Sequence, residues 1–154
     1  MTETGDDVQV VTFMLDTQEF AFDILQVERI LRYAAPARVP NAPDYLEGIV
    51  RFEGAPVPVV DLRKRLQLDA PVRDETRVIV LNLESERIGV MVDAVREVLR
   101  VDAGVISAPP PLVRGLAAAY VAGIIVHEDR TIVLLNARRL LSATERLALQ
   151  AAGG

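Results

Sequence analysis

The sequence contains no cysteine, no tryptophan and a single histidine, His127. The missing cysteine excludes disulfides, thiolate nucleophiles and cysteine-ligated metals, and one histidine cannot supply the pair that zinc or non-haem iron sites commonly use. The chain also lacks the G-x-x-x-x-G-K-[ST] phosphate loop, the G-x-G-x-x-G fingerprint and a nucleophile elbow. These absences argue against an enzyme and against a metal or organic cofactor.

Acidic residues outnumber basic ones, because the chain has 22 Asp and Glu residues but 17 Lys and Arg residues, which gives a net charge of −5. Such a chain would repel a phosphate backbone, and its arginines are spread out, so we expect no nucleic acid partner. The longest uncharged stretch, residues 115–126, is shorter than the roughly 20 residues that cross a bilayer. The N-terminus has neither the basic region nor the apolar run of a secretory signal. We therefore expect a soluble cytoplasmic protein without direct membrane insertion.

Aliphatic residues are plentiful, since 51% of the chain is hydrophobic and only four Phe and three Tyr are aromatic. Alternation and β-branching predict short strands. The predicted strands are Val8 to Leu15, Glu19 to Asp23, Val27 to Tyr33, Gly48 to Phe52, Ala55 to Val60, Arg77 to Leu83, Arg87 to Val92, Val95 to Val101, Gly123 to His127 and Thr131 to Leu135. Two prolines, Pro56 and Pro58, cannot donate ladder hydrogen bonds and predict that their strand lies at a sheet edge.

The helical signals are brief. Asp61 is a predicted N-cap for residues 62–68, Asn136 caps 137–141, and Ser142 opens a C-terminal helix and tail over 142–154. The polar, proline-containing stretch 69–75 predicts a connector between a first barrel (8–68) and a second barrel (76–141), after a flexible segment 1–7.

The two halves repeat each other at an offset of 75 positions. Tyr45, Gly48, Asp61 and Arg63 recur as Tyr120, Gly123, Asn136 and Arg138. Bare alternation of aliphatic residues requires none of these four, so the repeat predicts a duplication. Each half then has five short strands, a number that closes into a small barrel.

Carboxylates near strand ends are the remaining candidates for chemistry. In these positions an acidic side chain normally accepts backbone N–H groups, so we expect that role rather than acid–base catalysis. The set is Asp16, Glu19, Asp23, Asp44, Asp61 and Asp93. His127, beside Glu128, Asp129 and Arg130, is expected to end a strand at a hairpin turn.

Ordered motifs between about Val8 and Leu141 resemble the CheW family of chemotaxis coupling proteins. They are Phe20-Ala-Phe-Asp-Ile-Leu-Gln-Val27, Arg38 to Val50, Pro58-Val-Val-Asp61-Leu-Arg63, Arg77 to Leu83, Gly89-Val-Met-Val-Asp93-x-Val95 and Tyr120-x-x-Gly123. The resemblance implies a mainly β fold with two SH3-like five-stranded β-barrels that share a core, short helices and a C-terminal helix. It also implies a non-catalytic scaffold that joins the cytoplasmic tip of a methyl-accepting chemoreceptor to the regulatory domain of a CheA-type histidine kinase.

The same resemblance assigns candidate binding residues. Those expected to face the receptor are Val27, Arg29, Leu31 and Glu53, and those expected near the kinase are Glu47, Gly48 and Gly54. We expect the side chains of Val27 and Leu31 to be exposed for docking, although alternating aliphatic residues are more often core.

Two charges depart from the family pattern, because Arg29 replaces a common Glu and Glu53 replaces the usual Arg. The double reversal predicts that these residues form an ion pair of inverted polarity; the alternative is two separate solvated charges. It also keeps open an adaptor for a specialised chemosensory array, such as one that drives gliding or pili. A small-ligand-binding β-barrel is the alternative from another class, and it would need an apolar cavity with a few polar groups.

Overall fold

The structure, a computed structural model, describes residues 7–42, 46–65, 71–83, 86–108 and 120–139. Strands dominate these residues, and all ten predicted strands are present. The elements are β1 (Asp7–Leu15), β2 (Gln18–Asp23), β3 (Val27–Arg32), β4 (Leu46–Phe52), β5 (Ala55–Asp61), α1 (Leu62–Arg65), β6 (Arg77–Leu83), β7 (Glu86–Val92), β8 (Ala94–Asp102), β9 (Ile106–Ser107), β10 (Val121–His127) and β11 (Arg130–Leu135). The two-residue strand β9 was not predicted. None of the helices in the described ranges is long and apolar enough to cross a membrane.

The strands form two sheets, which confirms the mainly β fold with two barrels. Barrel 1 has the strand order β3-β6-β7-β5-β4, and barrel 2 has the order β8-β1-β2-β11-β10-β9. Both are antiparallel except for one parallel pair in each, β5 with β7 and β2 with β11.

The barrels do not follow the predicted division at residues 69–75. The N-terminal hairpin β1–β2 belongs to barrel 2, and the central hairpin β6–β7 belongs to barrel 1. The chain crosses between barrels at the 3-10 helix Ile24–Gln26 and at Asp93. The alternation of apolar and polar residues gives every hairpin one apolar face and one polar face. This pattern cannot indicate which sheet a hairpin joins.

Strand register repeats between the barrels, in agreement with the predicted duplication. In barrel 1, Val59 of β5 lies opposite Gly89 of β7, and in barrel 2, Leu134 of β11 lies opposite Ala21 of β2. A short segment also covers β4 and β10 at matching places. Ala37 bridges Ile49, and Ser107 pairs with Ile124.

One apolar core lies between the barrels and is built from both of them. The aromatic part comes from barrel 2, where Phe13 stacks on Phe22 at 5.0 Å and on Phe20 at 6.0 Å between ring centroids. Barrel 1 contributes buried residues of β5, β6 and β7, namely Val60, Ile79, Leu81, Leu83, Ile88, Val90 and Val92. The barrel interiors are filled with other side chains, including Val57, Val59, Val78, Val80 and Met91 in barrel 1 and Val10, Leu99, Val101, Ile125 and Ile132 in barrel 2.

The helix caps at Asp61 and Asn136 were predicted correctly, and the third predicted cap, Ser142, lies outside the described residues. Asp61 accepts the backbone N–H of Arg63 at 3.0 Å, and Asn136 accepts that of Arg139 at 3.2 Å. Helix α1 is described only to Arg65, and residues 137–139 are helical. The expected helix residues 66–68 and 140–141, the C-terminal helix and tail 142–154, and segment 1–6 lie outside the described residues.

The edge position predicted for β5 was wrong. Residues 59–61 of β5 pair with β7 while the strand also pairs with β4, so β5 is interior to its sheet. Pro56 and Pro58 lie in the part of β5 that pairs with β4 alone. An N–H is therefore not required on the β7 side at either proline.

Candidate partner-binding site

The first residues of β3 carry a β-bulge. Val27 lies opposite Leu81 and Arg29 lies opposite Val80, so Glu28 is the extra residue. A bulge moves the following side chains to the other face of the strand. Val27 consequently packs against the shared core, whereas Leu31 packs against the interior of barrel 1.

The exposure expected for Val27 and Leu31 was therefore wrong. Both side chains are half-buried, and they belong to opposite faces of β3 rather than to one. The apolar side chain that β3 exposes is Ile30, at 39%. A larger apolar surface lies just before the strand, where Leu25 is 87% exposed.

Four charged residues surround the bulge. Arg87 of β7 binds both carboxylate oxygens of Glu28, at 2.8 and 2.9 Å, and contacts Glu53 at 3.3 Å. Asn82 donates to Glu28 at 3.1 Å. Arg29 contacts Glu53 across 3.9 Å. Arg87 thus lies between two carboxylates, with Arg29 at the edge of the cluster.

The predicted proximity of Arg29 and Glu53 is confirmed, but the contact is loose. Their side chains are 57% and 50% exposed, and the single 3.9 Å approach has no hydrogen-bond geometry. Such a pair contributes little, roughly 0–1 kcal/mol. Most donors of the Arg29 guanidinium are therefore available to a partner.

An aromatic ring orients the two arginines. The guanidinium carbons of Arg29 and Arg87 lie 5.5 and 5.4 Å from the ring centroid of Phe52, which is buried. Cation–π contacts of this length favour a fixed guanidinium position. Arg29 is thus directed by Phe52 although it lacks a close carboxylate.

A groove of about 620 Å³ adjoins the cluster through Glu28 and Asn82. Leu25, Val27 and Leu83 provide its apolar walls, and Asp23, Gln26 and Arg138 complete its lining. We call it the interbarrel groove, because Leu25 and Gln26 belong to the crossing between the barrels. Asp23 shapes this crossing by accepting the backbone N–H of Leu25 at 3.0 Å.

The candidate kinase residues lie on β4 and on the turn that follows it. Glu47 accepts the Tyr33 hydroxyl at 2.8 Å, and burial together with this carboxylate raises the pKa of Tyr33 to about 12. Gly48 is buried with φ +150°, and a Cβ there would overlap the Ala37 carbonyl. Close packing against Ala37 therefore requires glycine at position 48. Gly54, with φ +79°, forms the exposed turn with Glu53.

The strand-end carboxylates largely take the backbone role expected of them. Asp23 and Asp61 accept backbone N–H groups two residues on, and Asp93 accepts that of Asp16 at 2.6 Å. Asp44 lies outside the described residues. His127 ends β10 at the turn formed by Glu128 and Asp129, as predicted.

Glu19 is the exception, because it is buried in an ion-pair cluster of barrel 2. Arg130 binds both of its oxygens, at 2.5 and 3.0 Å, and Arg96 approaches at 3.5 Å. The Arg130 hydrogen bonds outweigh burial and lower the pKa of Glu19, and the same bonds raise the pKa of Arg130.

A second buried cluster joins the barrels at the crossing residue Asp93. Arg63 contacts Asp61 at 3.0 and 3.1 Å and Asp93 at 3.0 Å. Burial alone would lower the pKa of Arg63, but its two carboxylate partners raise it. The Asp-Leu-Arg motif therefore has a structural role.

Sequence reasoning missed Glu28, Arg87, Phe52 and Leu25 as parts of the site. Glu28 and Arg87 are 59 positions apart, and only the pairing of β3 with β6 and of β6 with β7 brings them together. The sequence did contain a signal for Leu25. Asp23, two residues earlier, favours a capped turn, and a turn of this kind exposes Leu25.

Known proteins are similar to this chain in sequence. The model of the CheW-like domain matches residues 9–145. The chemotaxis protein CheW of Klebsiella aerogenes is 34% identical over 138 residues, which cover 89% of this chain and 83% of that protein. CheW of Bacillus subtilis is 31% identical over 140 residues, or 90% of this chain and 88% of that protein.

A solved structure gives the same result. The scaffolding protein TtCheW from Thermoanaerobacter tengcongensis superimposes with a TM-score of 0.78 at 30% identity, over 83% of this chain and 88% of that chain. The matches span both barrels and the crossings between them. The chain belongs to the CheW family.

Proposed function

We propose that this protein is a non-catalytic cytoplasmic scaffold that couples the tip of a methyl-accepting chemoreceptor to the regulatory domain of a CheA-type histidine kinase. Membership of the CheW family over residues 9–145 is the observation that carries this proposal. The geometry supports it, since the interbarrel groove and the bulge cluster form a continuous surface with exposed apolar and charged groups.

The receptor tip, a helical hairpin, is proposed to lie in the interbarrel groove. A helix in a groove inserts apolar anchors at helical spacing. Leu25 and Val27 supply the apolar contact, and Arg29 and Glu53 bind polar groups at the end of the groove. Leu31 acts from the barrel interior, where it supports Arg29 through the packing of β3.

The kinase is proposed to bind along the edge strand β4 of barrel 1, from Glu47 at its start to the turn that follows it. Gly54 keeps this turn free of a side chain, and Glu47 is held by Tyr33. Gly48 contributes by allowing the segment around Ala37 to lie against β4. We expect barrel-to-barrel packing with the kinase domain along β4.

The test is reconstitution with a receptor signalling hairpin and a CheA regulatory domain from the same organism. Leu25→Asp should abolish receptor binding, whereas Val105→Asp should leave it unchanged. The two residues are a matched pair, because each is exposed in a 3-10 helix capped by an aspartate two or three residues earlier. Binding of neither receptor nor kinase by the wild type would overturn the proposal.

The alternatives gain little support. The named relatives are chemotaxis proteins, so the comparisons do not favour an adaptor for gliding or pili. The charge reversal at Arg29 and Glu53 is the one feature consistent with it, and binding only to the receptor of a second array would establish it. Side chains fill the barrel interiors where a ligand-binding barrel would have its cavity.

A further inference from the structure

Two arginines face each other at the far end of β3 from the bulge. Arg32 of β3 lies directly opposite Arg77 of β6. Like charges in this relation destabilise a sheet, because directly opposed side chains are close neighbours. Arg77 directs its guanidinium to the backbone carbonyls of Asp74 and Thr76, at 2.5 and 3.0 Å. Within the described ranges the side chain of Arg32 has no hydrogen bond or ion pair.

A third arginine joins them around an open groove of about 670 Å³. The side chain of Arg73 is exposed and makes no hydrogen bond or ion pair with any residue whose position is described. Its backbone N–H and carbonyl both bond to Thr76. The only carboxylate in the described lining is Asp74. Three guanidinium groups against one carboxylate make this groove cationic on a chain whose net charge is −5. We call it the arginine groove.

Barrel 2 shows that the fold does not require this arrangement. The strand register places Arg100 of β8 where barrel 1 has Arg32, and Arg100 lies opposite Gln9 rather than a second arginine. The duplicated barrel thus avoids the like-charge pair. Arg77 is compensated by backbone carbonyls, but the Arg32 guanidinium has no partner among the described residues, which points to a partner outside the fold.

We propose that the arginine groove, which borders the proposed kinase surface through the contact of Tyr33 with Glu47, binds an acidic segment of a partner protein other than the receptor hairpin and the kinase domain. The fork of a guanidinium matches a carboxylate in two parallel hydrogen bonds, and the guanidinium groups of Arg32 and Arg73 have no partner among the described residues. The groove is lined by three arginines, which suits several carboxylates along one peptide. Bound carboxylates would also remove the repulsion between Arg32 and Arg77.

The experiment uses the full chain and a fluorescein-labelled peptide of eight glutamates, with an alternating Gly-Ser peptide as the blank. Fluorescence anisotropy at low and physiological salt gives the affinity. The test variant is Arg32→Gln with Arg73→Gln, and the control is Arg51→Gln with Arg100→Gln. Both remove two exposed arginines and the same charge, and Arg51 and Arg100 do not line the arginine groove.

The expected result is saturable binding that the test variant weakens by about tenfold or more, while the control changes it by less than about twofold. Thermal midpoints close to that of the wild type would show that both variants are folded. Absence of saturable binding would overturn the proposal, as would equal weakening by the control, which would indicate a general charge effect. An eight-nucleotide RNA that binds with the same dependence on Arg32 and Arg73 would also overturn it. Loss of peptide binding leaves receptor and kinase binding untouched under the proposal, so its failure is distinct from failure of the coupling role.

Discussion

The two barrels carry equivalent charge clusters of opposite polarity. In barrel 1 a cation, Arg87, lies between two carboxylates with Arg29 at the edge. In barrel 2 a carboxylate, Glu19, lies between two arginines with Glu97 at the edge. The strand register makes Arg87 equivalent to Glu19 and Arg29 equivalent to Glu97. Glu28 and Arg96, the bulged residues of β3 and β8, are equivalent as well, whereas the fourth members, Glu53 and Arg130, come from different positions of the matching hairpins.

The two clusters differ in burial and in the closeness of their ion pairs. We call the buried, tightly paired cluster of barrel 2 closed and the exposed, loosely paired cluster of barrel 1 open. The Glu19 side chain is 6% exposed and holds Arg130 in two short bonds, whereas Arg29 and Glu53 are half exposed and barely touch. A closed ion pair fixes the fold, because removal of one member leaves the other buried and unpaired. An open pair adds little to stability and leaves donors for recognition. One arrangement thus serves stability in barrel 2 and binding in barrel 1.

The largest effect is expected from Arg130→Ala in barrel 2. It leaves the Glu19 carboxylate buried, with the longer contact to Arg96 as its remaining ion pair among the described residues. We expect the free energy of unfolding to fall by about 3 kcal/mol or more. Arg29→Ala, which removes the loosely held arginine of the barrel 1 cluster, should cost less than about 1 kcal/mol. Urea unfolding measures both, and equal losses would contradict the distinction between a closed and an open cluster.

The next effect concerns the glycines of barrel 1. Gly48→Ala combines a strained φ with overlap of the new methyl group on the Ala37 carbonyl and on Pro36, so we expect a loss of about 2–4 kcal/mol. Gly54→Ala adds a methyl group in open space and should cost about 1–2 kcal/mol from backbone strain alone. Thermal unfolding separates the two. A loss of stability from Gly54→Ala as large as that from Gly48→Ala would show that the overlap with Ala37 and Pro36 is unimportant.

A smaller effect should appear in the pH dependence of stability. Because the pKa of Glu19 in the folded protein lies below the ordinary 4.5, its ionisation stabilises the fold above that value. This contribution is lost as the pH falls through the lowered pKa. The stability difference between wild type and Glu19→Gln should therefore shrink as the pH is lowered from about 6 towards 3. A difference that stays constant with pH would show that Glu19 does not titrate in this way.

The smallest effect is expected for the coupling of Arg29 with Glu53. A double-mutant cycle with Arg29→Glu and Glu53→Arg should give a coupling of about 0.2–1 kcal/mol in stability. Restored stability without restored receptor binding would identify the inverted polarity as a specificity device. Coupling of several kcal/mol would show a much tighter pair than the 3.9 Å separation indicates.

Local patterns predicted the strands, the caps and the repeat, because each depends on residues close in sequence. The exchange of hairpins could not be predicted, since β2 and β7 have the same alternation whichever sheet they join. The bulge at Glu28 was also missed, and with it the faces of Val27 and Leu31, because one extra residue shifts every later side chain. Arg29 and Glu53 were paired correctly from the double reversal of charge, whereas Arg87 required the strand order.

Barrel 1 is joined to barrel 2 at both of its ends. It is the continuous segment β3–β7, and barrel 2 is built from the hairpin β1–β2 before it and the strands β8–β11 after it. The two crossings are a 3-10 helix of three residues and the single residue Asp93, which Arg63 clamps. Rotation of one barrel against the other would have to distort both short crossings and break this clamp. A force or torque on a protein bound to barrel 1 is therefore transmitted directly to barrel 2, because no flexible hinge joins the two barrels.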